Sequence, residues 1–408
     1  MRAVLLTAAL VCGFAATAIG QTLPDDPPVY VIEYSTAPMI RNAALADVTL
    51  RVADRGSTWL FDKWHAGIFA RLGETTFSVF INSLGQAVVH EYGHVARVEE
   101  RGGSARAVIA LSGSFFRGTI PSLAPAERLS IFGGGLEGTA VLSDRVGDRI
   151  HARGTATPGE LTLLVTNALQ SEGYILTTLS ERCLTSPLTY FEGGPRGLAG
   201  DPAQYVSDLT LAGLPGYVPE RGDAALFALT QTTARRVRHG SWINFVDYEL
   251  AGAVFGLSRD FIQRGERRIP VRWLHVGGLA LSPGLRYTLS PNGPERQVRT
   301  RYKIGPGVGE GYFRWTDPLP SLGTRLMGAG GEYQHRMLRG FVPKVSLDLW
   351  RNPDGHASAR TELAAGVQRA AKDRLSLSFA VGGKGRGYRQ GYPLAPGIYV
   401  NVGAGLRF

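Results

Sequence analysis

Residues 398–408 read Ile398-Tyr399-Val400-Asn401-Val402-Gly403-Ala404-Gly405-Leu406-Arg407-Phe408. Every second residue is apolar, and those between are small, polar or tyrosine. Strand side chains alternate between two faces, so a period of two specifies a strand with one apolar and one polar face. The pattern recurs upstream in Leu375, Leu377, Phe379 and Val381, and in Val345, Leu347 and Leu349. Arg299, Arg301 and Lys303 alternate with Thr300, Tyr302 and Ile304, which suits a polar face turned inward. Strands are expected to begin near Arg272, Ser282, Arg296, Gly311, Thr324, Phe341, Ala357 and Arg374, with Ile398 opening a further one. Turn signals at Pro291-Asn292-Gly293, Asn352-Pro353-Asp354-Gly355 and Lys372-Asp373 fall between them.

The character differs before residue 265. Residues 21–40 are proline-rich and read as an extended segment, and residues 41–265 have helical periodicity. Thr58–Leu72 predicts an amphipathic helix with Trp59, Phe61, Trp64, Ile68 and Phe69 in the core. A helix follows from about Thr75 to Glu100, ended by Gly102-Gly103. Ala105–Phe116 predicts one or two short strands. The next helix, Pro125 to about Ile150, contains Gly133-Gly134-Gly135-Leu136-Glu137-Gly138. Each glycine inside a helix costs about 1 kcal/mol against alanine, so close approach to another helix or to a metal site is implied. Thr157-Pro158-Gly159-Glu160 is a capping box with proline in the first turn, opening a helix to about Arg182. Asp201-Pro202 caps a short helix through Leu211, and two more helices are expected at about 222–239 and 241–263.

The second of these helices carries His90-Glu91-Tyr92-Gly93-His94. Two histidines four apart share one helix face and can grip one metal ion. A glutamate right after the first histidine can act as a base toward a water there. A chain of this composition should hold such a pattern by chance fewer than about one time in a hundred. The stretch resembles the HExxH zinc metallopeptidases. That resemblance implies zinc as cofactor, His90 and His94 as ligands, Glu91 as catalytic base and a peptide or protein substrate. The extended form HExxHxxGxxH is not followed, because Val98 and Arg101 stand at its later positions. The resemblance is therefore to the group whose third ligand is an acidic residue on a later helix. Glu137 is the best candidate and His151 the runner-up. Asp144, on the same face as Glu137, either orients a ligand or pairs with Arg145 or Arg149. A second electrophile is sought among Tyr174, Tyr190, Tyr205, His239 and Tyr248.

The closing strand resembles the terminal strand of bacterial outer-membrane β-barrel proteins, which commonly end on an aromatic residue. A barrel strand shows lipid on one side and the barrel interior on the other over about 10 residues. The expected fold class is α+β: a mainly helical metal-site domain over 41–265, then an antiparallel β-barrel of roughly eight strands over 270–408. A soluble sheet packed on the helical half gives the same alternation and stays open.

The chain has 408 residues and a net charge of +10. No stretch after the first twenty residues has about 20 uninterrupted apolar residues, so no membrane-crossing helix is expected. Residues 1–20 resemble a secretory signal peptide: Arg2, an apolar run, and Ala18-Ile19-Gly20 before Gln21. Cys183 then stands alone, a core residue rather than a nucleophile, and export without disulfides is implied. The arginines form no basic run with aromatics, which argues against nucleic acid and favours outer-membrane lipid or lipopolysaccharide. The expected function is an exported zinc metallopeptidase on the bacterial outer membrane, its helical half periplasmic. The alternative is a non-enzymatic barrel protein whose HExxH is inert or structural.

Overall fold

The computed structural model describes residues 29–62, 67–109, 114–180, 200–218, 223–317, 325–335, 341–368 and 375–407. The expected signal peptide, Trp64, Cys183, Tyr190 and Phe408 lie outside them. The architecture is α+β. Strand β1 (Val29–Ser35) leads into α1 (Pro38–Asp62) and α2 (Ile68–Glu100). A short hairpin follows, β2 (Ser104–Val108) with β3 (Phe115–Thr119), then α3 (Pro125–Arg153) and β4 (Thr155–Ala156). Next come α4 (Pro158–Thr178), α5 (Asp201–Ala212), α6 (Ala224–Ser241) and α7 (Tyr248–Phe255), which runs on as a π-helical stretch to Gln263. Strands β5 (Ile269–Pro270) and β6 (Leu274–Val276) lead into β7 (Leu279–Ser290), β8 (Gly293–Ile304), β9 (Gly307–Thr316), β10 (Met327–His335), β11 (Phe341–Arg351), β12 (Ala357–Gln368), β13 (Leu375–Lys384) and β14 (Gly397–Arg407).

The helix starts follow local chemistry. Thr157 caps α4 by accepting from the Glu160 amide at 3.2 Å, while Glu160 accepts from the Thr157 amide at 2.9 Å. Asp223 caps α6 in the same way through the Leu226 amide. The helix α3 ends on Gly154 with φ of 80°, a left-handed cap suited to glycine.

The main sheet has ten antiparallel strands in the order β1-β14-β13-β12-β11-β10-β9-β8-β7-β6. It departs from the expected barrel in two ways. Among the described residues β1 and β6 remain edges and do not pair, so the sheet is open. The tenth strand comes from the proline-rich leading segment: Val29–Ser35 pairs with Asn401–Arg407.

The sheet's two faces have opposite chemistry. On β11, Leu347 and Leu349 are exposed while Ser346, Asp348 and Trp350 are buried. On β8, Val298 and Ile304 are exposed while Arg299 and Arg301 are buried, as their alternation implied; Lys303, expected with them, is exposed at the strand end. The polar face wraps α3. Arg301 pairs with Asp148 and with Glu249 of α7, and Arg360 of β12 pairs with Asp348. The apolar cores lie elsewhere, among the helices and the β7 end of the sheet. One cluster centres on Leu129, Tyr205, Val237 and Leu289, another on Leu142, Val146, Leu161 and Phe261.

The expected core of the first amphipathic stretch is corrected by its exposure. Trp59 is 60% exposed and Phe69 85%, and Ile68 is also exposed. Trp59 lies near the end of α1 and Ile68 and Phe69 at the start of α2, and these side chains point away from the helices they were expected to pack on.

Candidate metal centre

The site is built where α2 crosses α3. A Cβ on Gly93 would strike the Gly134 carbonyl, and one on Gly138 would stand 2.7 Å from the Val89 oxygen. A Cβ on Gly135 would run into the Nε2 atoms of both His90 and His94. The glycines of α3 thus let its backbone rest directly on the two imidazoles.

His94 is fully buried and its ring is fixed on three sides. Its Nδ1 lies 2.7 Å from the Ile131 carbonyl oxygen. A carbonyl only accepts, so Nδ1 carries the proton and donates. Phe116 of β3 stacks on the ring at 4.8 Å, and His90 meets it edge-on at 4.8 Å. The Nε2 atoms of the two histidines are 3.1 Å apart.

The acidic residue that meets both is Asp201, the first residue of α5. Its Oδ2 is 3.2 Å from His90 Nε2 and 3.0 Å from His94 Nε2. Among the described residues, His90, His94 and Asp201 are the group whose ligating atoms converge closely enough to hold one metal ion. Tyr174 of α4 positions the aspartate, its hydroxyl donating to Oδ2 at 2.9 Å and accepting from the Asp201 amide at 2.9 Å. Gly200 leaves room for that phenol, since a Cβ there would stand 2.5 Å from its oxygen.

The donor set fits zinc on geometry and on chemistry. Tetrahedral bonds of about 2.0–2.1 Å place ligand atoms about 3.3–3.4 Å apart, near the separations found here. Three lone-pair atoms facing one another repel unless a proton or a cation sits among them. Burial opposes the Asp201 carboxylate, yet His94 and His90 outweigh it and hold its carboxyl well below the usual range. Burial and the adjoining Asp201 push the Tyr174 phenol up, so it stays a donor.

Glu91 is 5% exposed and accepts from the Ser114 hydroxyl at 2.9 Å. Its charge acts on His94 and on Tyr174. Ser114 and Phe116 flank Phe115, so the β2–β3 hairpin delivers one group to the base and another to a histidine.

The other expected site residues lie elsewhere. Glu137 is not with the histidines: Arg97 grips its carboxylate at 3.0 and 2.5 Å, and the Gly391 amide donates to it at 2.7 Å. Glu137 does sit on the glycine helix that touches the histidines, but two positions beyond Gly135 it faces Arg97 instead. Asp144 is held by Arg286, Arg299 and Gln390 of the sheet region, not by Arg145 or Arg149. His151 donates through Nδ1 to the Gly147 carbonyl and meets Trp273 edge-on. Tyr205 donates to the Ser290 carbonyl at 2.6 Å, and His239 and Tyr248 are outside the cluster.

Asp201 was legible in the sequence only as a helix cap. No protein-family model, curated protein or solved structure matches this chain.

Proposed function

We propose that this protein is an exported, zinc-dependent metallopeptidase attached to the bacterial outer membrane. The observation that carries the reading is the convergence of His90 Nε2, His94 Nε2 and Asp201 Oδ2 within 3.0–3.2 Å, with Glu91 on the next residue of the same helix. Bound zinc would supply Lewis acidity toward a water and toward the substrate carbonyl. The chain supplies the rest. Glu91 takes a proton from the attacking water, with Ser114 holding its carboxylate in place. Tyr174 and the Ile131 carbonyl fix Asp201 and His94, so the ligand atoms need little rearrangement. Phe116 closes one side of His94 against water.

The β2–β3 hairpin lies beside the site, where an extended peptide can add to its edge. Three protein atoms converge among the described residues, which suits a catalytic site with one open position; a structural zinc takes four. Attachment to the membrane is supported by the sheet, whose exposed face is apolar and whose buried face is charged, the arrangement suited to lipid outside. Among the described residues no helix is long and apolar enough to cross a membrane. The net charge of +10 suits acidic headgroups and lipopolysaccharide as partners.

The test is casein hydrolysis by the detergent-solubilised chain, with zinc content measured on the same samples. Glu91→Gln is expected to keep its zinc and to lose hydrolysis by about 10²–10⁴-fold. Unchanged hydrolysis in Glu91→Gln, or none in the parent chain when loaded with zinc, would rule out the peptidase reading.

A further inference from the structure

The helix that carries the histidines is inverted in polarity along most of its length. Glu74, Ser78, Asn82, Gln86, His90 and His94 recur at every fourth position of α2, and the first four and His94 are buried. Away from this stripe Phe69, Leu72 and Val79 are exposed, and Phe80 is at 52% exposure. A helix facing water does the reverse, with its apolar stripe inward. Several of these groups find protein partners: Glu74 pairs with Arg267, Asn82 donates to the Gly159 carbonyl, and Gln86 donates to Ser171. Turning polar groups inward to find partners is what a hydrocarbon surrounding demands.

The length of the inverted stretch is informative. Between Ile68 and Val88 the only charged residues are Arg71 and Glu74. Arg71 donates to the Ile262 and Gln263 carbonyls and Glu74 is buried, so no charge is exposed on this face. At 1.5 Å per residue this stretch is about 30 Å long, the thickness of a bilayer's hydrocarbon core.

The height of the stretch is set by α3, which touches both sides. Gly147 of α3 packs on Arg301 of β8, and Gly133 packs on the Leu289 carbonyl of β7. Toward α2, Gly138 packs on Val89 and Gly134 on Gly93. The histidine end of α2 is therefore level with the β7–β8 turn, and its apolar face is level with the strands. The sheet's own apolar belt ends in exposed charge at the rim of the β11–β12 turn, at Arg351, Asp354 and His356. On α1, Leu50 packs on Gly85 and Phe61 on Gly73, so exposed Arg55 stands near the height of Val79. The charge of Arg55 keeps the α1 face out of the apolar belt.

We infer that the outer face of α2 from Ile68 to Val88 lies against phospholipid hydrocarbon, continuing the apolar belt of the sheet, and that the His90–His94–Asp201 site sits at the membrane surface. This rests on the reading of the sheet's outer face as lipid-facing. Substrate then reaches Glu91 at the bilayer surface, beside exposed Tyr92, an aromatic suited to that level.

The test is nitroxide accessibility in a chain freed of its two cysteines by Cys12→Ser and Cys183→Ser. Labels go at Val79 or Phe80 on α2, at Leu349 on β11 and at Glu99 past the histidines. The chain is placed in vesicles of phosphatidylethanolamine and phosphatidylglycerol. Collision with oxygen is compared with collision with a water-soluble nickel chelate. The expected result is oxygen-dominated collision at Val79, Phe80 and Leu349, and nickel-dominated collision at Glu99. Oxygen dominance at Leu349 with nickel dominance at both α2 positions overturns the inference and leaves the sheet in lipid. Nickel dominance at all positions overturns the membrane reading as well. Shielding from both reagents at Val79 and Phe80 means a second protein surface covers α2, and it also overturns the inference.

Discussion

Single side chains decide whether the centre holds metal and at what pH the helical half is most stable. Tyr174 touches Asp201 twice, so Tyr174→Phe should weaken zinc binding about 10–100-fold without removing a ligand, as read by competition with a chelating dye. Unchanged affinity would mean that the phenol does not position the aspartate. Glu172, two residues earlier, is buried, and that burial raises its carboxyl from 4.5 to about 7 against the hydrogen bond from Asn244. A raised carboxyl holds its proton more tightly when folded, so its contribution is present below pH 4.5 and is lost as pH rises through about 7. Glu172→Gln lacks this titration. Relative to the parent its Tm should rise by a few degrees as pH goes from 4.5 to about 7, and that gain should hold at higher pH. The histidine pair and Glu91 were legible because a helix repeats every 3.6 residues, so their geometry is local. Asp201 was not, because 107 residues separate it from His94 and only the packing of α5 on α3 brings it in. Glu137 misled because the glycines around it did mark contact with the histidines, while a buried arginine supplied a different partner for its charge.

Elements meet at glycines, and the crossing of α2 and α3 depends on them. Gly135→Ala should displace both imidazoles and lower zinc content. Gly173→Ala, where a Cβ meets nothing within 4 Å, should leave zinc content unchanged. Overpacking of this kind typically costs about 1–3 kcal/mol, so the Gly135 variant should also melt lower. Equal zinc in both variants would show that the crossing tolerates a side chain. Most elements followed from period, caps and turns, and β7 to β14 fall close to their expected starts. Strand β1 escaped because its partner β14 is at the other end of the chain, and only that pairing makes its seven residues a strand. The core expected at Trp59, Ile68 and Phe69 failed for a different reason. Amphipathic periodicity locates an apolar face but does not say whether protein or another apolar medium covers it.

At the scale of the molecule, the open sheet wraps α3 with its charged face and leaves its apolar face outside. Closure was not legible, because alternation is the same in an open and a closed sheet. The charged interior is a network that tolerates little loss. Arg360→Ala leaves Asp348 buried with less compensation and should lower stability by about 3–5 kcal/mol, measured by denaturant unfolding in detergent. A loss under about 1 kcal/mol would mean that Arg389, also 3.3 Å from Asp348, suffices alone. The same wrapping brings α2, α4 and α5 together around one point, and the account stands on that convergence being a metal centre. The most direct measurement is zinc per chain after equilibrium dialysis for the parent, His94→Ala, Asp201→Ala and Glu137→Gln, with folding checked by circular dichroism. The account predicts about one zinc in the parent and in Glu137→Gln, and none in His94→Ala or Asp201→Ala. Zinc retained in Asp201→Ala, or no zinc bound by the folded parent, would contradict it.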